Sequence, residues 1–98
     1  MVMTACASED EAELIINALL AGRQAACIQM TPVTSHYIWD GERQCSRELL
    51  LFIKCLAENY DAIEKTILKL HSYDTPEIIR VPIEGGYDRY LSWLAEPV

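Results

Sequence analysis

The side chains with the most chemistry to offer in this sequence are soft and borderline metal ligands: Cys6, Cys27, Cys45 and Cys55, His36 and His71, and three methionines. Sulfur donors suit copper(I) and zinc, and imidazole suits several divalent ions. No two cysteines stand in C-x-x-C spacing and no H-E-x-x-H occurs. Any metal site therefore has to be assembled by the fold or between copies of the chain. There is likewise no G-x-S-x-G and no glycine-rich phosphate loop. Without a nucleophile beside a base in any recognised order, an enzyme is not the expected class.

Each of these residues also has a structural role to weigh. Cys27 follows Ala25-Ala26 at the start of a β-rich stretch, where a small buried residue is the commoner role; Cys6 and Cys55 read the same way. Cys45 lies among polar residues and is expected to be the exposed thiol, with His36 simply lying along the same hairpin. His71 ends a helical stretch, where the dipole favours a cation. Its neighbours, Ser72-Tyr73-Asp74-Thr75-Pro76-Glu77, add a tyrosine and two carboxylates within one turn, a polar density typical of binding loops. Tyr37 and Trp39, just before the hairpin turn, are either core aromatics or the wall of an interface cleft, the cleft being favoured because they lie near the overhang.

The elements that must position these groups follow from pattern. Val2 to Ala7 is a short apolar strand, and Ser8-Glu9-Asp10-Glu11 matches the S-x-x-E capping box. Ala12, Ile15, Ile16 and Leu19 then recur at helical spacing up to Gly22. Ala25 to Trp39 and Glu42 to Leu56 form two β arms joined at Asp40-Gly41, a dipeptide that supplies positive φ angles in a tight hairpin. Pro32 predicts a bend, a bulge or an edge position. A second helix begins at Glu58 or Asn59, with Tyr60, Ile63, Ile67 and Leu70 on one face. Glu77 to Ile83 is a last strand, and Tyr87 to Leu94 is a short helix with Tyr87, Tyr90, Leu91 and Leu94 on a stripe. The order β-α-β-β-α-β plus a terminal helix predicts an α+β, ferredoxin-like domain spanning residues 1–98.

A strand arm of about fifteen residues extends roughly 50 Å, against a diameter of roughly 35 Å for a domain of this length. The hairpin overhangs its own core, and closed symmetry is the usual way to cover such edges, so a homo-oligomer is expected. The formal charge of −7 opposes binding to nucleic acid or to anionic membrane surfaces. No stretch is apolar enough to span a bilayer, and the start lacks a basic signal-peptide region. Together with cysteines that show no disulfide framework, this predicts a cytoplasmic protein with free thiols.

Several fragments, in this order, carry a resemblance: Ala25-Ala26-Cys27; Ser35-His36-Tyr37 with Trp39-Asp40-Gly41; Glu48 followed by an apolar strand and Lys54; Leu70-His71, Tyr73 and Pro76-Glu77-Ile78; and Tyr90-Leu91 with Trp93-Leu94. They resemble the CutA divalent-cation-tolerance family over nearly the whole chain. The resemblance implies a tight homotrimer joined through the long hairpin, as in the trimeric PII signalling proteins, and a role in tolerance of divalent metals, with copper or another divalent ion bound. It further implies that Cys27, Tyr37, Trp39, Glu48, Lys54, His71, Tyr73 and Glu77 surround a cleft between subunits. Cys27 and His71, with a carboxylate such as Glu77, are the metal ligands expected on that basis.

Three positions depart from the family pattern: Ser72 where proline usually follows the histidine, Cys55 where threonine often follows the lysine, and Gln29 where asparagine is common. Ser72 is expected to loosen the histidine turn, and Cys55 to add a soft ligand near Lys54. The alternative function is a regulatory or scaffold trimer that binds a small anionic metabolite or a protein in the cleft, with Lys54, Tyr73 and Trp39 as contacts. An enzyme using Lys54 and His71 ranks last.

Overall fold

Ser8 starts the first helix. Its extended backbone (φ −144°, ψ 160°) lets its hydroxyl accept the Glu11 N–H at 3.2 Å, capping α1 (Glu9–Ala21) directly after β1 (Val2–Cys6). The Glu11 side chain reaches past the cap residue to the N–H of Ala7, at 3.2 Å. Gly22 ends the helix as expected, although the left-handed backbone falls on Arg23, φ 55°. The computed structural model describes residues 1–96; Pro97 and Val98, the end of the expected domain, lie outside the described residues.

Two strands of 13 residues each, β2 (Cys27–Trp39) and β3 (Glu42–Lys54), pair in unbroken antiparallel register from Cys27↔Lys54 to Trp39↔Glu42. Asp40 and Gly41 have φ of 53° and 76°, the two left-handed residues that a type I′ hairpin turn requires. Pro32 pairs opposite Leu49 without a bulge, and β2 is an edge strand, so of the three expected outcomes the edge position is the one realised. After a 3₁₀ turn at Ala57–Asn59 come α2 (Tyr60–Leu70), β4 (Ile78–Arg80) and α3 (Asp88–Ala95). β4 is shorter than the Glu77 to Ile83 predicted. Pro82 has no N–H to donate, and the pairing runs out after Val81 N–H donates to the Met1 carbonyl at 2.7 Å.

The strand order is β2-β3-β1-β4, with every pair antiparallel, which is the predicted ferredoxin-like arrangement. Both main helices cover one face. Val2, Cys6, Leu51 and Ile53 from the sheet meet Ala12, Ile15, Leu19, Ile63 and Ile67 from the helices, and each large apolar side chain so buried contributes roughly 1.5–3 kcal/mol. The other face carries Met3, Ala5, Leu50 and Phe52, of which Ala5 is buried and the other three half-buried. On α3, Leu94 is buried and Leu91 half-buried, but Tyr87 and Tyr90 of the expected stripe are exposed.

The overhang is real. β1 pairs with β3 only between Leu49 and Ile53, and from Val33↔Glu48 outward the hairpin is a bare two-stranded ribbon. The chain measures 45 × 25 × 21 Å as a result.

Candidate functional site

Directly paired residues share a face of a sheet and side chains alternate along each strand. The register therefore sets Cys27, Tyr37, Trp39, Glu48 and Lys54 all on the face turned away from the helices. They do not lie together on it. Cys27 and Lys54 are paired at the root of the hairpin, where the Lys54 ammonium donates to Gln29 Oε1 at 2.6 Å. Tyr37 and Trp39 are at the tip. Cys55, next to Lys54 in sequence, turns to the opposite face and is buried in the core, where desolvation pushes its thiol pKa up.

Tyr37, Trp39 and Glu48 meet the loop after α2 around a cleft of about 570 Å³, which Tyr73, Asp74 and Glu77 also line. The Tyr73 hydroxyl donates to Glu48 Oε2 at 2.8 Å, and the Tyr37 and Ser46 hydroxyls are 2.9 Å apart. Burial, followed by the bond to Glu48 and that carboxylate's charge, holds the Tyr73 phenol well above its ordinary range. Five of the eight residues that the resemblance assigns to a cleft between subunits line this cleft of the single chain.

His71 lies just behind this cleft, as the C-terminal cap of α2, with its ring 4.8 Å from that of Tyr73. Nε2 is 2.8 Å from the Ala5 carbonyl, and Nδ1 accepts the Tyr73 N–H at 3.2 Å. A carbonyl can only accept and a backbone N–H can only donate, so the ring carries a proton on Nε2 and presents the Nδ1 lone pair to the loop. Glu11 completes the knot, accepting from Ala7 through one oxygen and from the Ser72 N–H through the other. Burial raises the carboxyl's pKa, but the hydrogen bonds from Ser72 and Ala7 and the proximity of His71 outweigh it and hold the group below the usual carboxylate range. Ser72 supplies this turn with an N–H that a proline in its place would lack.

Cys6 is fully buried beside this knot. Its sulfur, a Glu11 oxygen and a His71 nitrogen all lie within 4.8 Å of one another. Burial, then the charges of Glu11 and Glu48, push the thiol up to about 11. The same negative surroundings favour a cation, which would lower the thiol's pKa in turn. Sulfur, carboxylate and imidazole form a donor set for a soft to borderline ion once one ring nitrogen of His71 is released, Nδ1 from the Tyr73 N–H or Nε2 from its proton and the Ala5 carbonyl. Binding would draw the three atoms slightly closer, since bonds of about 2.0–2.3 Å hold ligands around one ion. In the sequence, Cys6 reads as a core residue and Glu11 as a capping residue. The only local signal was a cysteine two positions before the capping box; the histidine lies at the far end of another helix.

The chain matches the family model described as CutA1 divalent ion tolerance protein over residues 1–97. It is 38% identical over 97 residues to the divalent-cation tolerance protein CutA of Thermus thermophilus, an alignment covering 98% of this chain and 94% of the relative. It is 34% identical over 91 residues to that of Archaeoglobus fulgidus, covering 93% and 89%. The solved T. thermophilus structure superposes with a TM-score of 0.94, at 38% identity and covering 98% and 94%. The A. fulgidus structure, described as a periplasmic divalent cation tolerance protein, superposes at 0.95, with 31% identity and coverage of 98% and 94%. A PII-like protein CutA from Nostoc, at 23% identity and a TM-score of 0.90, with coverage of 98% and 93%, shares the fold.

Proposed function

Because the chain belongs to the CutA1 divalent ion tolerance family, we propose that it is a homotrimeric, non-enzymatic binder of copper or another divalent metal, serving tolerance of such ions. The observation that carries this reading is the convergence of Cys6, Glu11 and His71 within 4.8 Å, in a buried and negatively charged setting. Of the ligands that the resemblance implied, His71 is retained. Cys27, at the hairpin root, and Glu77, on the cleft loop, join it only if a neighbouring subunit brings them near.

Titration of the reduced protein with Cu(I), Cu(II) and Zn(II) tests the assignment. Cys6→Ser and His71→Ala should each weaken the tightest site at least tenfold, while Cys27→Ser and Glu77→Gln leave it intact. The opposite pattern would transfer the site to the intersubunit set. Equal binding by all four variants would end the metal reading.

The trimer rests on the overhanging ribbon, whose edges and exposed Ile38 and Trp39 call for cover. Light scattering after size exclusion should give three times the chain mass, and a monomer at micromolar concentration would defeat it. No helix among the described residues is long and apolar enough to cross a membrane. The cytoplasm is the compartment we propose on the strength of four free thiols; recovery of the native protein from a periplasmic fraction would refute that placement. A second reading, a regulatory trimer binding a small metabolite or a protein, is favoured by the cleft itself.

A further inference from the structure

We infer that the cleft at the hairpin tip takes a small organic cation, an amine, guanidinium or quaternary ammonium compound, and not an anionic metabolite. This deepens the second reading above and is independent of the metal site.

The lining argues for it group by group. Glu48, Asp74 and Glu77 bring carboxylates to the cleft, and no lysine, arginine or histidine lines it. Lys54, the expected anion contact, is held at the other end of the hairpin by Gln29. Tyr37, Trp39 and Tyr73 supply three aromatic rings, whose faces attract cations. Trp39 is 49% exposed although it sits on a fully paired hairpin, so its indole is offered to solvent from a fixed frame.

One oxygen of Glu48 accepts the Tyr73 proton, which keeps Tyr73 an uncharged aromatic wall and leaves the second oxygen of Glu48 to accept from a ligand N–H. The volume of about 570 Å³ suits an organic molecule and far exceeds a bare ion. Among the described residues, the one group of three potential ligands close enough to share an ion is Cys6, Glu11 and His71, none of which lines the cleft. The net charge of −7 raises the concentration of cations near the surface from any direction.

Calorimetry and thermal-shift titrations with agmatine, spermidine and choline, run with a chelator present, test the inference against citrate and ADP as anionic probes. The parent should gain stability saturably with at least one cation and with neither anion. Trp39→Ala and Glu48→Gln should weaken that binding at least tenfold. Glu77→Gln, an exposed substitution that leaves the packing untouched, should weaken it severalfold even if the other two variants fail to assemble. Cys6→Ser should bind the cations as the parent does, which separates this result from the metal titration. Stabilisation by the anions, or cation binding of equal strength in the parent and all three cleft variants, would overturn the inference. A parent that ignores the cations while Lys54→Gln binds them would also overturn it, because the cleft would then hold a neighbouring copy's lysine.

Discussion

The two ends of the long hairpin have opposite surroundings. At the root, β3 runs between β2 and β1 beneath two helices, and Leu51 and Ile53 are 0% exposed. At the tip, the same two strands have no third neighbour, and Ile38 is 68% exposed. Strand propensity and register are continuous from one end to the other, so the difference is not in the local structure. It lies in what covers it. Apolar side chains at the root contribute to folding of the chain, and those at the tip are left for a ligand or another copy. The knot of Cys6, Glu11 and His71 sits where the two regions meet, since β1 ends at Cys6↔Leu49 and the cleft begins with Glu48.

Truncation at the root should have the largest effect: Ile53→Ala is expected to lower stability by about 2–4 kcal/mol in urea unfolding. Its tip counterpart, Ile38→Asp, should instead change the mass seen by light scattering. A version of Ile38→Asp that keeps the parent's mass and still loses as much stability as Ile53→Ala would erase the contrast.

At the boundary, Glu11→Ala should cost about 2 kcal/mol near pH 7, because two N–H groups lose a charged acceptor. Glu11 titrates lower in the folded chain than its ordinary value of 4.5. Its contribution is therefore fully present above the unfolded value and is lost as pH falls through the folded one. The parent should lose stability on acidification below about pH 4.5, and the variant should lose less over that range. A parallel acid limb in the two proteins would deny Glu11 this role.

Ser72→Pro, which removes the loop's N–H to Glu11 while also fixing φ at that position, is expected to cost about 1 kcal/mol and to weaken any metal bound at His71. Within the covered region, the Thr4 hydroxyl is buried with no hydrogen-bond partner among the described residues. Thr4→Val should raise stability by about 1 kcal/mol, the only favourable change. A loss on that substitution would mean the hydroxyl is satisfied in solution.

Local chemistry was legible residue by residue. Ser8 announced a helix start through its hydroxyl, Asp40-Gly41 a type I′ turn through their tolerance of positive φ, and Leu49 to Ile53 an interior strand through unbroken apolarity. The overhang followed from counting residues at a fixed rise per residue. Tyr37, Trp39, Glu48, Tyr73 and Glu77 were assigned by resemblance to a cleft between subunits; within one chain they line a common cleft. Lys54 could not be separated from them in that way, because alternation tells which face a residue is on and says nothing of how far along the sheet it lies. β4 was overestimated because an apolar stretch does not reveal where its partner strand stops.

The sequence by itself determined the order of elements, the turn, the capping of α1 and the excess length of the hairpin, all of which depend on neighbours a few residues apart. Only the tertiary structure decided that Cys6, Glu11 and His71 converge, that Ser72 supports the histidine turn, and that the cleft beside Trp39 is walled by carboxylates and aromatic rings. Those contacts join a strand end, a helix start and a helix end across as many as 66 residues. Their geometry is set by how helices pack on the sheet, which no spacing along the chain encodes.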